Sequence, residues 1–558
     1  MQRRYRIIVL VMLLLGISLG YALLTSNLNI LGVSEILNPT WDIHFENVQV
    51  KSGSVTAPTP TIDTAKTTVS YSVTLNTPGD FYEFTVDAVN AGTIDGMVDV
   101  VSNKLNNIEI TSLPAYLEYS ATYEDGIPIE TNQLLKHGQY ERFKVRVAYK
   151  SDITKTDLPS TEQTINLSFT VTYVQSDLDG ITTKEAYFLT GPEVNIKMKN
   201  LAGDDTTENG EKTDDSNVTA IKYSLTEPTQ SNKESKNIVS KADSPYPIYM
   251  WFDNGTIYWW SEDKYPNINE DASFMFNRCM NLEDIQGIEH FDFSRSTTLR
   301  CLFGTNVSLK SISVLKNWDV SNVINMYQTF CLCLSLESLN GLEKWDTSNV
   351  TTMYGLFMGH SSVGGMIITD LTPLSNWDVS KVEDLRAIFQ RCIAITSLEG
   401  LENWEISNVK NIWGAFQYNY SLSDISSIEN WDTSSVTDMT GVFQNCDSLL
   451  EMDLSKWNTA NVTDMKAMFN GLDLLEELDI SSFDTRKVTS FKEMFKNSTS
   501  LKHIYVGDNW DTSNNTDDDT MVFPASSSLP NYDSSNPNRQ KLSYAHTGTG
   551  GYLTYKSN

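Results

Sequence analysis

The sequence predicts an α/β solenoid of about ten coils of 26–27 residues, preceded by an all-β sandwich. Three observations predict it. An aromatic recurs at Phe291, Trp318, Trp345, Trp377, Trp404, Trp431, Trp457, Phe483 and Trp510, in steps of 27, 27, 32, 27, 27, 26, 26 and 27 residues. Twelve residues after each of the first eight stands a phenylalanine: Phe303, Phe330, Phe357, Phe389, Phe416, Phe443, Phe469 and Phe495. Residues 41–176 instead alternate apolar and polar with a period of two, the mark of strands with one buried face. At 558 residues the chain is too long for one compact core, and an array that grows coil by coil needs none.

Composition narrows the function. The formal net charge is −30, so a nucleic-acid binder that works by neutralising phosphates is excluded, as is electrostatic adhesion to an anionic bilayer. Aromatic residues make up 11% of the chain, too many for general disorder. Six cysteines are far too few for a disulfide scaffold.

Residues 1–30 form an export signal or a membrane anchor. Arg3, Arg4 and Arg6 precede an apolar run from Ile7 to Leu24, with small residues at Gly20 and Ala22. Cleavage after Ala22 is expected of a signal. A retained anchor is the alternative, since the run is at the short edge of a spanning helix. Both place the arginines in the cytoplasm and the rest outside, with membrane contact only through this segment.

Residues 31–176 read as the sandwich. Alternation runs through Val69, Tyr71, Val73 and Leu75, through Phe143, Val145, Val147 and Tyr149, and through Ile165, Leu167, Phe169, Val171 and Tyr173. Turn signals fall at Pro78-Gly79-Asp80 and at Gly92. Trp41–Val48, Pro78–Val86 and Asn90–Ile94 resemble the camelysin/TasA-like β-domains of Firmicute surface and matrix proteins. That resemblance implies a domain able to polymerise by strand exchange into matrix fibres. Some members are described as metalloproteases, but His44, His137, His290, His360, His503 and His546 never approach the His-Glu-x-x-His spacing such an enzyme needs.

Residues 177–245 read as a linker and irregular segment, because Gly203–Lys236 is rich in Asp, Glu, Asn, Thr and Lys. Residues 246–267 hold two aromatic runs around Asp253-Asn254-Gly255, a hairpin signal, placed to cap the first coil.

Residues 268–510 are the array. Leu449-x-x-Met452-x-Leu454, Leu475-x-x-Leu478-x-Ile480 and Leu501-x-x-Ile504-x-Val506 have the strand pattern of a leucine-rich repeat, and other coils carry Leu336, Leu339 and Leu342 spacing. After the aromatic comes a turn, then apolar residues spaced as one face of a short helix, as in Val323, Met326 and Phe330 or Val462, Met465 and Phe469. An α/β leucine-rich-repeat solenoid follows, with a parallel sheet on one side and a length of about 45–50 Å from strand spacing. Gly359–Gly365 accounts for the 32-residue step as a loop insertion. Residues 511–558 form a C-terminal cap, with Gly550–Tyr555 as a closing strand.

Repeats of the kind at Trp431–Phe443 and Trp457–Phe469 resemble the BspA-like leucine-rich-repeat surface proteins, and the resemblance covers residues 245–558. It implies an extracellular bacterial protein that adheres to host matrix proteins or neighbouring cells. Phe291 departs from the pattern by lacking the Ser-Asn-Val continuation, and the ending carries no Leu-Pro-x-Thr-Gly motif.

Four sets of residues invite a chemical role. Trp318, Trp345, Trp377, Trp404, Trp431 and Trp457 could stack sugars, while Phe330, Phe357, Phe389, Phe416, Phe443 and Phe469 form with them a structural ladder. Phenylalanine at 291 and 483 instead marks the tryptophan position as a structural ladder that does not need the indole N–H. Asp319, Asp346, Asp378, Asp432 and Asp484 suit either a calcium ladder or turns, and Glu405 and Asn458 in equivalent places favour turns. Cys279, Cys333, Cys392 and Cys446 occupy every second coil, about 10 Å apart by strand spacing, too far for disulfides. A bridge involving Cys301 or Cys331 stays open. Finally, Glu283, Asp284, Gln286, Glu337, Asn340, Glu451, Asp453, Glu476, Glu477 and Asp479 face outward from the strand positions and form the candidate binding face. No catalytic grouping, cofactor loop or metal-ligand spacing is discernible. The expectation is a non-catalytic surface protein that recognises an extracellular protein or glycan, with a structural matrix role as the alternative and a metalloprotease a distant third.

Overall fold

A computed structural model describes residues 40–105, 108–109, 113–124, 126, 128–129, 133–152, 164–175, 185–203, 214–517 and 521–557. The N-terminal run Ile7–Leu24, with Ala22, lies outside them. Among the described residues no helix is long and apolar enough to cross a membrane.

The alternating segments become two antiparallel sheets. One has the order β1 (Ile43–Gly53), β4 (Phe81–Asn90), β9 (Tyr140–Tyr149), β7 (Leu117–Tyr123). The other has β2 (Thr61–Ile62), β3 (Thr68–Thr74), β10 (Thr164–Gln175), β5 (Gly96–Leu105), β6 (Ile108–Glu109), with β8 (Leu134–Leu135) also on β5. Phe45 and Phe143 from the first sheet meet Phe169 from the second, ring centres 5.6–6.2 Å apart, and all three are buried.

The segment expected to run as a linker is folded over its described parts. Gly191–Leu201 is an α-helix, α1, opened by a Thr190–Glu193 capping box. Val194 and Met198, one turn apart, bury its inner face. Only two such residues mark that face, which is why charged composition outweighed them in the sequence. Gly191 packs so closely on the first coil that a Cβ there would lie 2.3 Å from the Ser273 carbonyl oxygen. Next, β11 (Ala220–Tyr223) runs parallel to β13 (Thr256–Ser261), which pairs with β12 (Ile248–Asp253) through an Asn254-Gly255 turn with positive φ at both residues. Trp259 seals this cap against Phe291 at 4.8 Å.

The coils stack in parallel register. One row of bridges joins Asp271, Thr298, Asn325, Thr352, Asp384, Asn411, Asp438, Asp464 and Ser490 in succession. The phenylalanine rings from Phe303 to Phe495 stack with centres 5.6–6.4 Å apart.

The expected α/β leucine-rich-repeat solenoid is not what these coils build. Among the described residues α1 is the single α-helix, and it precedes the array. The segment expected to be helical is a string of turns. In the coil of Phe330, the N–H groups of Met326, Gln328, Phe330 and Leu332 donate to the carbonyls of Thr352, Tyr354, Leu356 and Met358 in the next coil at 2.8–3.0 Å. The alternate N–H groups of Thr329, Cys331 and Cys333 bond back three residues within their own coil. That alternation requires left-handed backbone at Gln328 (φ 54°) and Leu332 (φ 61°), two residues either side of the phenylalanine. Equivalent positive φ values recur at Cys301 and Thr305, Ala387 and Arg391, Gly414 and Tyr418, and Ala467 and Gly471. An α-helix cannot include such residues. The spacing of Val323, Met326 and Phe330 arises because successive turns point an apolar residue inward at nearly the interval a helix would.

The expected parallel sheet is likewise reduced. Among the described residues its strands are β14 (Glu477–Ile480) and β15 (His503–Val506), closed by β16 (Thr554–Tyr555) from the C-terminal cap. Elsewhere that side consists of turns, 3₁₀ segments and isolated bridges such as Ser397 with Asp424. The insertion after Phe357 is a tight loop closed by His360 and Gly364.

Candidate functional site: the acidic edge of the coils

The outward residues after each coil's leucine form a line along the stack. Glu283, Gln286, Glu337, Asn340, Glu451, Asp453, Glu476 and Glu477 are exposed; Asp284 and Asp479 are half-buried. The structure adds three exposed acids in the intervening coils, Asp370, Glu399 and Asp424. The sequence signal for them was the register itself, obscured by the 32-residue step.

Local bonding divides this edge in two. The aspartates close turns: Oδ1 of Asp284, Asp370, Asp424, Asp453 and Asp479 accepts the N–H two residues on, at 2.8–3.0 Å. Hydrogen bonds from the hydroxyl and N–H of Ser455 hold the Asp453 carboxyl below its ordinary pKa. The glutamates form no turn. Glu283 pairs with Lys310 at 2.6 Å and Glu476 with Lys502 at 2.7 Å, both exposed, while Asp284 meets Lys222 at 3.1 Å and Asp479 meets Lys556. Glu337, Glu451 and Glu477 make no ion pair among the described residues. The edge is therefore acidic but partly neutralised at both ends of the array.

The other marked residues are tied up within the stack. Each tryptophan of the ladder is 2–4% exposed. Its indole N–H is not idle: Nε1 of Trp318, Trp345, Trp377, Trp404, Trp431 and Trp457 donates at 2.9–3.1 Å to a carbonyl of the preceding coil, that of Ile288, Leu315, Leu342, Leu374, Leu401 and Ile428 in turn. Rings such as Trp345 and Trp377 lie parallel at 6.2 Å, so their faces meet each other. Asp319, Asp346, Asp378, Asp432 and Asp484 each accept the N–H two residues on at 2.9–3.1 Å, as does Asn458. Hydrogen bonds from Ser380 and Ser434 lower the carboxyl pKa of Asp378 and Asp432. No group of three or more His, Cys, Asp or Glu side chains is gathered for a metal among the described residues.

All six cysteines are free and buried, Cys301 and Cys331 included. Sγ of Cys333, Cys392 and Cys446 lies 3.2–3.3 Å from a carbonyl one coil back. Burial pushes the Cys333 thiol up to about 12 and raises Cys392 and Cys446 as well. A ladder the sequence reading passed over runs beside the phenylalanines. Tyr327 and Tyr354 stack at 4.7 Å, with Arg300 5.3 Å from the first ring and Arg386 4.9 Å from the second. All four stand three residues before a phenylalanine, and that shared offset was the available signal.

No curated protein and no solved structure matches the chain. Residues 270–369, 365–427 and 416–534, which span the stacked coils, are similar to DUF285, a Mycoplasma protein family of unknown function.

Proposed function

We propose that the chain is an exported, non-catalytic surface protein whose stacked coils recognise an extracellular partner along the acidic edge. The observation that carries this reading is the split between aspartates and glutamates on that edge. The aspartates are needed for turns; Glu337, Glu451 and Glu477 make neither a turn nor an ion pair among the described residues and still face outward along the same edge. A line of exposed carboxylates steers a cationic partner and sets its register, so a basic segment of an extracellular protein is favoured over a neutral glycan. Export rests on Arg3, Arg4 and Arg6 ahead of the apolar run.

The test is capture of extracellular-matrix proteins and cell-wall glycans by the chain, then the same capture with Glu451, Glu476 and Glu477 all changed to Lys. Loss of the captured partner by about tenfold or more in affinity, steeper at low salt, is expected of a charge-steered surface. Capture unchanged by the triple reversal removes this edge as the site.

A further inference from the structure

We infer that the junction between the sandwich and the first coils is a binding site for a neutral saccharide of one or two rings. A cleft of ≈ 550 Å³ opens there, within the size range of small-molecule sites. Tyr123 and Tyr140, from β7 and β9, form the sandwich wall; Tyr223, Tyr265 and His290 form the wall of the cap and first coil. The two halves are joined by Lys136 to Asp292.

Three features define the ligand. Several charges in the lining are already engaged, and Lys316 lies 5.9 Å from the Tyr140 ring centre. Lys136 has Asp292, Lys222 has Asp284 at 3.1 Å, and Arg142 binds Asp87 at 2.6 and 2.9 Å with Glu124 at 3.9 Å. A charged ligand would disturb these pairs. The floor is aromatic: Tyr223 and Tyr265 pack on His290 at 5.5 and 5.6 Å, and a sugar's C–H face suits such a surface. The third feature is the Tyr265 hydroxyl, which is buried yet has no hydrogen-bond partner. A buried hydroxyl left unpaired is costly, and a ligand hydroxyl that shifts the neighbouring floor side chains enough to reach it would satisfy it. Gln139 and Gln286 add amide groups that both donate and accept, the chemistry that reads polyols. This cleft meets the acidic edge at Gln286 and at the Lys222–Asp284 pair, and the sugar binding inferred for it does not depend on a partner along that edge.

The experiment is isothermal titration of the full chain with cellobiose, lactose, maltose and N,N′-diacetylchitobiose, repeated with Tyr265→Phe and with Tyr140→Ala. Binding of at least one of these is expected, weakened about fivefold to tenfold by Tyr265→Phe, the value of one hydrogen bond. Thermal unfolding of Tyr265→Phe should be at or above that of the parent, because the change removes an unpaired buried hydroxyl; this separates loss of binding from loss of fold. Absence of heat with all four sugars overturns the inference. So does binding that Tyr265→Phe and Tyr140→Ala both leave intact, or tighter binding of a glucuronic-acid disaccharide than of any neutral one.

Discussion

Replacing Gly355 and Gly441 together by alanine separates the observed turns from the helix that the apolar spacing suggests. Each stands two residues before its coil's phenylalanine. Were the segment helical, alanine would be better than glycine by about 0.8–1.0 kcal/mol per site, and the double variant would gain nearly 2 kcal/mol. In the structure both glycines are left-handed, with φ 59° and 60°. A side chain there costs about 1–2 kcal/mol, partly offset by about 0.4–1 kcal/mol from a stiffer unfolded chain. The space is also tight. An added Cβ would lie 3.1 Å from Cγ of Gln328 at the first site, and 3.2 Å from Nε2 of Gln417 and Oε1 of Gln444 at the second. The two sites share no neighbour among these, so their effects should add. The double variant is expected to lose about 1–2 kcal/mol, which puts the two architectures some 3–4 kcal/mol apart. Urea unfolding of the full chain, followed by near-ultraviolet circular dichroism, reads the sign directly. Ala387→Gly, at φ 52°, is the control. Relief of strain there roughly cancels the lost buried methyl and the added chain freedom, whereas a helix would lose well over 1 kcal/mol. A raised midpoint for the double variant would refute the turn architecture.

Two further outcomes follow from buried ionisable groups. Asp263, at the cap, is pushed up to about 7 by burial, with Asp292 and Glu185 adding to the effect and Lys136 opposing it. Its folded pKa lies above the unfolded value, so its contribution to stability is full below about pH 4 and is lost as pH rises to about 7. The Tm of Asp263→Asn relative to the parent should therefore climb from pH 4 to pH 8, and a constant difference would contradict this. For the cysteines, titration in denaturant should find six free thiols, while the native chain at pH 8 should react slowly, because burial raises the thiols of Cys333, Cys392 and Cys446. Rapid native labelling of these three would mean that the coils open readily.

What the sequence made legible was the interval, and what it hid was the backbone inside it. Trp318 to Trp457 and Phe303 to Phe495 declare a repeating contact because only a stack lets one ring meet its counterpart 26 or 27 residues on. Val323, Met326 and Phe330 were ambiguous for a physical reason: a string of turns and a helix both return an apolar side chain to the core every three or four residues. The contrary signal lay in Gly355, Gly414 and Gly441, which a short helix would disfavour at a repeated position. The indole N–H was hidden in a different way. Phe291 and Phe483 at the same position suggest that the N–H is dispensable. The carbonyls it reaches, such as that of Leu374, also accept the N–H of Trp377, so losing the indole leaves no orphan. The cleft was out of reach, since β7, β9 and Tyr265 are brought together only by the docking of two separately patterned segments.

The same bonding pattern bears on which side chains can be functional. In each coil the backbone satisfies itself, alternate N–H groups going to the next coil and the rest to turns. Side chains that the fold requires are those that replace a missing backbone partner or fill the core: the phenylalanines, the indoles, and aspartates such as Asp346 and Asp453. A glutamate at 337, 451 or 477 does neither. Its carboxylate is exposed, and its line of like charges works against the compactness of a chain already at −30. A structural account of those positions would be met equally well by serine or threonine, as Ser423 stands at the place of Glu337 and Ser397 at that of Glu451 and Glu477 in other coils. Their acidity is therefore not set by the coil's own bonding: solvation of the edge accounts for it, and the cationic partner proposed above would use it.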